Sequence, residues 1–187
     1  YFYLWAQETY INSKIWRAGT DNDRRGWKVE ELMGQWMNVK ADNVKVMSSV
    51  NGTDAVVEAV VTSEGKAVIC LKYTMHPDGT LDVGYDIRID EQMPEPLRVG
   101  LQGQVDSRYS DVTYFGLGPW ENYCDRHAGV FLGTYMTDVK GLMTDYVYPQ
   151  ENGNRTGVHW FTLTDKTGKG IQFIGDAPLS ISAWNTT

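Results

Sequence analysis

The chain has 187 residues, with 17 Lys and Arg against 24 Asp and Glu, for a formal net charge of −7. A hydrophobic fraction of 42% and a charged fraction of 22% are typical of a globular protein with a proper core. Because nucleic-acid binders concentrate Lys and Arg against phosphate, the acidic balance argues against nucleic acid as a partner. No apolar run is long enough to cross a bilayer, so a membrane is not an expected partner either. The sequence does not indicate a cellular compartment.

The first element predicted along the chain is one short amphipathic helix near residues 27–40. Apolar residues recur there at spacings of three and four, which places them on one face of a helix. The helix follows Asp21, Asn22 and Asp23, whose side chains suit a helix start or a turn. An EF-hand loop needs further ligands at fixed spacing, so we interpret these three residues as a turn and not as a calcium site. The predicted stripe consists of Val29, Leu32, Met33, Trp36 and Met37.

The middle of the chain alternates apolar and polar residues in the way that predicts antiparallel strands. Leu81–Ile89 alternates strictly, and Ala67–Met75 does so ahead of it. The link between them contains Pro and Asp-Gly, the signals of a tight turn. Residues 55–62 and 97–105 show similar patterns, so the four segments predict a four-stranded antiparallel meander. Later strands are predicted at residues 157–163, 170–174 and 179–184.

These elements predict an all-β fold that is mostly β and contains one short helix. We expect a large antiparallel β-sandwich that spans residues 1–187 as a single domain. Because the chain begins with Tyr1 and not with Met, we also expect it to be a piece of a longer polypeptide.

Two segments combine Gly, Pro, aromatic and charged residues in what we interpret as irregular loops. Residues 114–126 read YFGLGPWENYCDR, and residues 148–155 read YPQENGNR. Glycosidases commonly use two carboxylates about 5 to 10 Å apart, which makes the acidic residues of these segments candidates. The acidic candidates are Glu121, Asp125 and Glu151.

A structural role competes with the catalytic one at each of these carboxylates. Ion pairs with Arg126 and Arg155 would hold Gly- and Pro-rich loops in one shape, and the residue types favour this interpretation. Of the three histidines, His127 is the best acid/base candidate, although a role in supporting the loop competes there too. No histidine pair has the spacing of a zinc site, so no metal site is predicted. The chain has no nucleophile elbow, P-loop or dinucleotide fingerprint.

Three segments together resemble one family. Residues 16–23, WRAGTDND, are similar to the RAPTDND segment that opens the C-terminal β-domain of large family-2 β-galactosidases. Residues 114–126 resemble the GLGPxENYPDR motif of that domain, and residues 148–160 resemble its PQENGNRxDVRW motif. The chain departs from the family at Gly19 and Cys124, where Pro is usual, and at His159, where Arg is usual. Three motifs in the same order make the resemblance specific over nearly the whole chain.

The resemblance implies a galactose-mutarotase-like sandwich without catalytic residues of its own. In that family both catalytic glutamates lie on a TIM barrel earlier in the polypeptide, and the β-domain helps to close the galactose pocket. The expected partners are therefore the remaining domains of a parent β-galactosidase, with a small saccharide as a candidate ligand. No cofactor is expected in this chain, whereas the parent family often uses Mg²⁺ and Na⁺ at the barrel. The residues expected to lie near the pocket or to fix its loops are Asp21, Asn22, Asp23, Trp120, Glu121, Asn122, Arg126, His127, Glu151, Asn152 and Arg155.

Two other functions remain open from the sequence. A stand-alone carbohydrate-binding module would hold sugar on exposed Trp or Tyr rings without chemistry. A mutarotase-like epimerase would need a histidine and a carboxylate facing one sugar, for which His127 with Glu121 or Asp125 is the candidate combination.

Overall fold

The computed structural model of the chain describes residues 15–37, 39–148 and 150–185. The predicted helix and the second loop segment are thus described except for Asn38 and Pro149. The described residues form two compact units, one of residues 15–17 and 22–102 and the other of residues 18–21 and 103–185. The prediction that residues 1–187 make a single domain stays a prediction.

The first unit contains a four-stranded antiparallel meander. Its strands are β1 (Asn43–Asn51), β2 (Asp54–Ser63), β3 (Ala67–Met75) and β4 (Leu81–Ile89), which pair in chain order. The predicted bounds of β3 and β4 are confirmed residue for residue, and β2 extends the predicted strand by one residue at each end.

The fourth strand of this meander is β1, at the other edge from the one that the sequence predicts. Residues 97–105 are not a strand, so that prediction is wrong. Gly103 stands at an apolar position of their alternation and Gly100 on the other side; glycines lose much backbone entropy in a strand and offer no side chain to pack.

The core of the first unit lies on one face of this sheet. Residues directly opposite each other across the strands share a face, so Ala59 of β2, Leu71 of β3 and Tyr85 of β4 point to the same side. Trp36 covers part of that side, and its indole N–H donates to the Pro94 carbonyl at 2.8 Å. The buried members of the cluster are Ile15, Trp36, Ala59, Val61, Ala67, Ile69 and Leu71.

The predicted helix exists but is short and irregular. Helix α1 (Val29–Met33) lies between a π-helical turn, Asp23–Trp27, and a 3-10 turn, Gly34–Trp36. Lys28 has a left-handed φ of 49°, which interrupts the run before α1. Only part of the predicted stripe is therefore buried: Val29 and Trp36 are, whereas Leu32 and Met37 are exposed.

The second unit contains the other antiparallel sheet, in the order β6-β5-β7-β8. Predicted residues 157–163 lie inside β7. The predicted segments 170–174 and 179–184 join in β8, which ends at residue 181, so the last three predicted residues are not strand. β8 pairs with β7 through register shifts. The sequence pattern predicts neither β5 nor β6. The loop predicted for residues 114–126 is wrong for residues 114–118, which lie in β5. The strands are β5 (Asp111–Gly118), β6 (Phe131–Asp138), β7 (Arg155–Thr164) and β8 (Gly170–Ile181). The buried core of this unit is Val112, Tyr114, Val139, Leu142, Val158, Leu163 and Ile181.

The predicted fold class is confirmed, because the described residues are mostly β, in two antiparallel sheets with one short helix. Among the described residues, no helix is long and apolar enough to span a membrane.

Candidate functional site

The loop that follows β5 and the loop that precedes β7 lie next to each other. The backbone N–H of Asn122 donates to the carbonyl of Asn154 at 2.9 Å, and the Asn154 amide returns a bond of 2.9 Å to the carbonyl of Asn122. The Gly153 N–H donates to Oε2 of Glu121 at 2.9 Å. Segments 32 residues apart in the chain are thus held together by reciprocal hydrogen bonds. We call this group of contacts the loop cluster.

Glu121 links the two loops through both of its carboxylate oxygens. Oε2 accepts from the backbone of the second loop, and Oε1 accepts from Arg126 Nη2 at 2.8 Å. The Glu121 side chain is only 7% exposed, whereas that of Arg126 is 50% exposed. Both oxygens of this enclosed carboxylate are therefore engaged by groups of the loops themselves.

Asn122 is the hub of the loop cluster. It is fully buried, and its amide nitrogen donates to the carbonyls of Leu117 at 3.1 Å and Trp120 at 3.0 Å. Its side-chain oxygen accepts from the backbone N–H of Thr156 at 2.9 Å and from the hydroxyl of the same residue. The two carbonyls accept and the backbone N–H donates, so the orientation of the Asn122 amide is fixed by its partners.

The same hydrogen bonds define the tautomer of the neutral His127 ring. The hydroxyl of Thr156 donates its one proton to Asn122 Oδ1, which is an acceptor only. The Thr156 oxygen must then accept from Nε2 of His127, which lies 3.1 Å away. Neutral His127 therefore carries its proton on Nε2, and Nδ1 is its basic nitrogen. This assignment follows from the network of partners.

Arg155 fills the base of the loop cluster and is only 4% exposed. Its Nε donates to the Pro119 carbonyl at 3.1 Å and to the Tyr114 hydroxyl at 3.3 Å. Its Nη1 donates to the Leu142 carbonyl at 3.3 Å and to two carbonyls of its own loop. Among the described residues the guanidinium thus binds carbonyls and not the carboxylate that the sequence suggested. Burial raises the pKa of Tyr114, while the hydrogen bond from Arg155 acts in the opposite direction.

Two glycines of the motif are required by close packing. A Cβ on Gly116 would lie 2.7 Å from Cγ2 and 2.8 Å from Cα of Val158, closer than carbon atoms approach. A Cβ on Gly118 would overlap the Tyr114 hydroxyl and come within 2.7 Å of the Tyr135 ring. The two glycines of the Gly-Leu-Gly segment therefore allow β5 to pack closely against its neighbours, and we do not interpret them as a phosphate-binding loop.

The remaining candidates of the second unit lie around the loop cluster. Trp120 is 71% exposed, and Glu151 is buried. Asn152 exchanges hydrogen bonds with the backbone of Thr144, the N–H of which donates to its side-chain oxygen at 2.8 Å. The backbone N–H of Asp21 donates to the Gln150 side chain at 3.1 Å, so Asp21 reaches the second loop.

Asn22 and Asp23 belong to the first unit. There Asp23 forms an ion pair of 2.5 Å with Arg17, and both side chains are mostly buried. Asp23 therefore ties the start of the π-helical turn to the segment before it, in keeping with the turn interpretation of the Asp-Asn-Asp segment.

Sequence reasoning did not select Tyr114, Gln150 or Thr156 as candidates. The first two lie inside the quoted motifs, so their position in a motif was the available signal. Thr156 lies one residue beyond the loop segment 148–155, at the variable position of the PQENGNRxDVRW motif, so the sequence gives no signal of its partners. Among the residues that the structure describes, no group of three or more His, Cys, Asp or Glu could hold a metal ion.

The comparison with known proteins agrees with the motifs. The family described as "Beta galactosidase small chain" matches residues 3–187. The chain belongs to the β-galactosidase small-chain family. It is 32% identical over 172 residues to a β-galactosidase of Priestia megaterium (strain DSM 319 / IMG 1521), covering 90% of this chain and 16% of that protein. It is 34% identical over 174 residues to a β-galactosidase of Lactobacillus delbrueckii subsp. bulgaricus, covering 90% of this chain and 17% of that protein. This small-chain domain thus spans about one sixth of the length of the relatives that it matches.

Proposed function

We propose that this chain is a non-catalytic domain of a β-galactosidase that hydrolyses terminal β-D-galactosides, with the catalytic carboxylates outside this chain. The observation that carries the proposal is the state of Glu121, the most conspicuous carboxylate of the motifs. Both of its oxygens bind groups of the two loops and its side chain is nearly buried, so Glu121 holds the loops together. A retaining glycosidase needs a carboxyl pair that faces substrate. The small share of each relative that the chain covers supports a catalytic centre elsewhere.

The domain's contribution would be a rigid rim for a neighbouring sugar pocket. A pocket wall helps catalysis only if it holds its shape when substrate arrives. The loop cluster meets that requirement because Asn122 and Arg155 are buried and bind several backbone carbonyls each. In this proposal Trp120, which is exposed on the same loop, would contact the sugar.

Two assays with a chromogenic β-galactoside test this function. The isolated chain should show no turnover, and clear turnover would refute the proposal. The P. megaterium enzyme should lose turnover when the segment that this chain matches is deleted, and should regain it when this chain replaces the segment.

A saccharide-binding role is a second candidate, supported by the 71% exposure of Trp120. Apolar sugar faces stack on such rings, so galactose or lactose should bind the isolated chain and Trp120→Ala should weaken the binding. Calorimetric titration separates this module from a purely structural domain. The epimerase alternative is less well supported, because Glu121 is held by Arg126 and the Gly153 N–H and is not available to work with His127.

A further inference from the structure

The first sheet has one face without any charged residue. The register of its strands places Val46, Ala59, Leu71 and Tyr85 in one row across that face, and the parallel rows are also apolar or aromatic except for Ser48 and Ser63. The opposite face alternates with it and carries charges on all four strands. Those charges belong to Lys45, Asp54, Glu58, Lys72, Asp82, Asp86 and Arg88. A sheet with one uncharged apolar face is built to have that face covered.

Among the described residues of the first unit, those outside the sheet cover only part of this face. The rows through Ala59 and Val61 are buried on the two inner strands, where Ile15 and Trp36 pack against them. On the edge strand β1, and toward the sheet end where β1 meets β2, the same face is exposed. We call this exposed region the apolar strip. Its residues are between 38% and 77% exposed: Val44, Val46, Val50, Val57, Met75 and Val83.

The apolar strip continues directly from the buried core. Val46 lies opposite Ala59, and Val50 lies opposite Ala55, which lies opposite Met75 on the next strand. No charged side chain separates the strip from the core on that face. Depletion of charge with exposed Val and Met side chains is the composition of the centre of a protein interface. A sugar site would instead need several convergent polar groups, whereas the six residues of the apolar strip are Val and Met only.

The size of the apolar strip indicates the kind of partner. A Val or Met side chain has roughly 100 Å² of apolar surface to lose, so the strip offers roughly 300 Å². Stable association of free proteins needs about 800 Å² per partner, so two copies meeting through this strip would fall well short. A partner domain in the same polypeptide needs less area, because the link supplies an effective concentration of about the millimolar order.

We propose that the apolar strip is the docking surface for another domain of the same β-galactosidase polypeptide, which covers it with an uncharged apolar surface. This inference rests on the proposed function, in which the chain is one domain of a larger enzyme. The matched relatives are about six times as long as the segment they share with this chain, which leaves ample polypeptide to supply that domain.

The test compares cysteine accessibility in the isolated chain and in the fusion in which this chain replaces the matched segment of the P. megaterium enzyme. Cys70 and Cys124 are first replaced by Ser, since both are free thiols. Val50→Cys reports on the strip, and Met47→Cys is the matched control, three residues away on the same strand but on the opposite face. Both positions are exposed, at 77% and 58%. We expect maleimide to label Val50→Cys at least about tenfold more slowly in the fusion than in the isolated chain, and Met47→Cys at rates within about twofold of each other.

The outcomes separate the docking surface from the proposed function. Protection of Val50→Cys in a fusion without galactoside turnover would support the docking surface and refute the function. Equal labelling of both cysteines in a fusion that turns over galactoside would overturn the docking surface and leave the function standing. A fusion with neither protection nor turnover would overturn both. In the isolated chain, protection that disappears on dilution would assign the strip to a second copy, and protection at every concentration would assign it to the chain's own residues. Either result would overturn the proposal.

Discussion

Replacing Asn122 by Ala should destabilise the second unit more than any other single truncation in the loop cluster. The side chain is fully buried and makes four hydrogen bonds. Alanine would leave the Thr156 N–H and the carbonyls of Leu117 and Trp120 without this partner. Each buried polar group left unsatisfied costs about 1–3 kcal/mol, so the lower limit for three groups gives a loss of about 3 kcal/mol.

Urea unfolding followed by tryptophan fluorescence measures this loss. For a slope of about 2 kcal/mol per molar urea, the midpoint should fall by roughly 1.5 M. Asn43→Ala is the matched control, because Asn43 is an exposed residue at the start of β1 and the same substitution there should cost less than about 0.5 kcal/mol. A loss below about 1 kcal/mol for Asn122→Ala, or one equal to the control, would show that the hub adds little to stability.

Two further predictions concern packing and pH. Gly116→Ala should destabilise the chain by about 1–3 kcal/mol in the same urea assay, because the new methyl group overlaps a neighbouring strand. The control Gly103→Ala, which has open space around it, should be nearly neutral. Equal losses of stability for the two variants would contradict the close packing of Gly116. His76 lies 2.9 Å from Asp82 and 3.2 Å from Asp54, and these carboxylates raise its pKa in the folded chain. The stabilisation of the fold by charged His76 is therefore complete below the unfolded pKa of about 6.5 and is lost as pH rises through the higher folded pKa. The difference in unfolding free energy between the wild type and His76→Gln should be larger at about pH 6 than at about pH 9. A difference independent of pH would show that the imidazole charge plays no part.

The strands show what alternation in a sequence can and cannot predict. The bounds predicted for Leu81–Ile89 are correct because its apolar residues share one face of the sheet and its polar residues the other. Residues 97–105 alternate as well, yet they form no strand. Alternation indicates which residues share one side of a strand. A strand also needs an adjacent strand to hydrogen-bond its backbone groups, and the whole fold determines whether that strand is present. The sequence does not predict the edge strand β1, because two consecutive serines, Ser48 and Ser49, interrupt the alternation of its valines.

The loop cluster could be located from the sequence but not assembled from it. The motifs identified the two loops, and the ion pair between Glu121 and Arg126 is of the kind that their composition suggested. The role of Arg155 differed, because carbonyls that gather around a buried guanidinium come from distant segments with no distinctive residues. The importance of Asn122 has the same origin, since a buried asparagine looks like any turn asparagine until its partners are known. The roles of the remaining site candidates near a sugar pocket stay predictions.

The reciprocal bonds between Asn122 and Asn154 also constrain how the chain folds. They join positions 32 residues apart, with the whole of β6 between them. Closing a loop of that length costs about 3 kcal/mol of chain entropy before any bond is gained, so neither loop can adopt its final shape alone. The loop after β5 must wait for the segment that leads into β7, which emerges from the ribosome later, and the cluster is expected to form late and in one cooperative step. A nascent chain that stops short of β7 would expose the groups that Asn122 and Arg155 later satisfy, so quality-control factors could recognise it as unfinished.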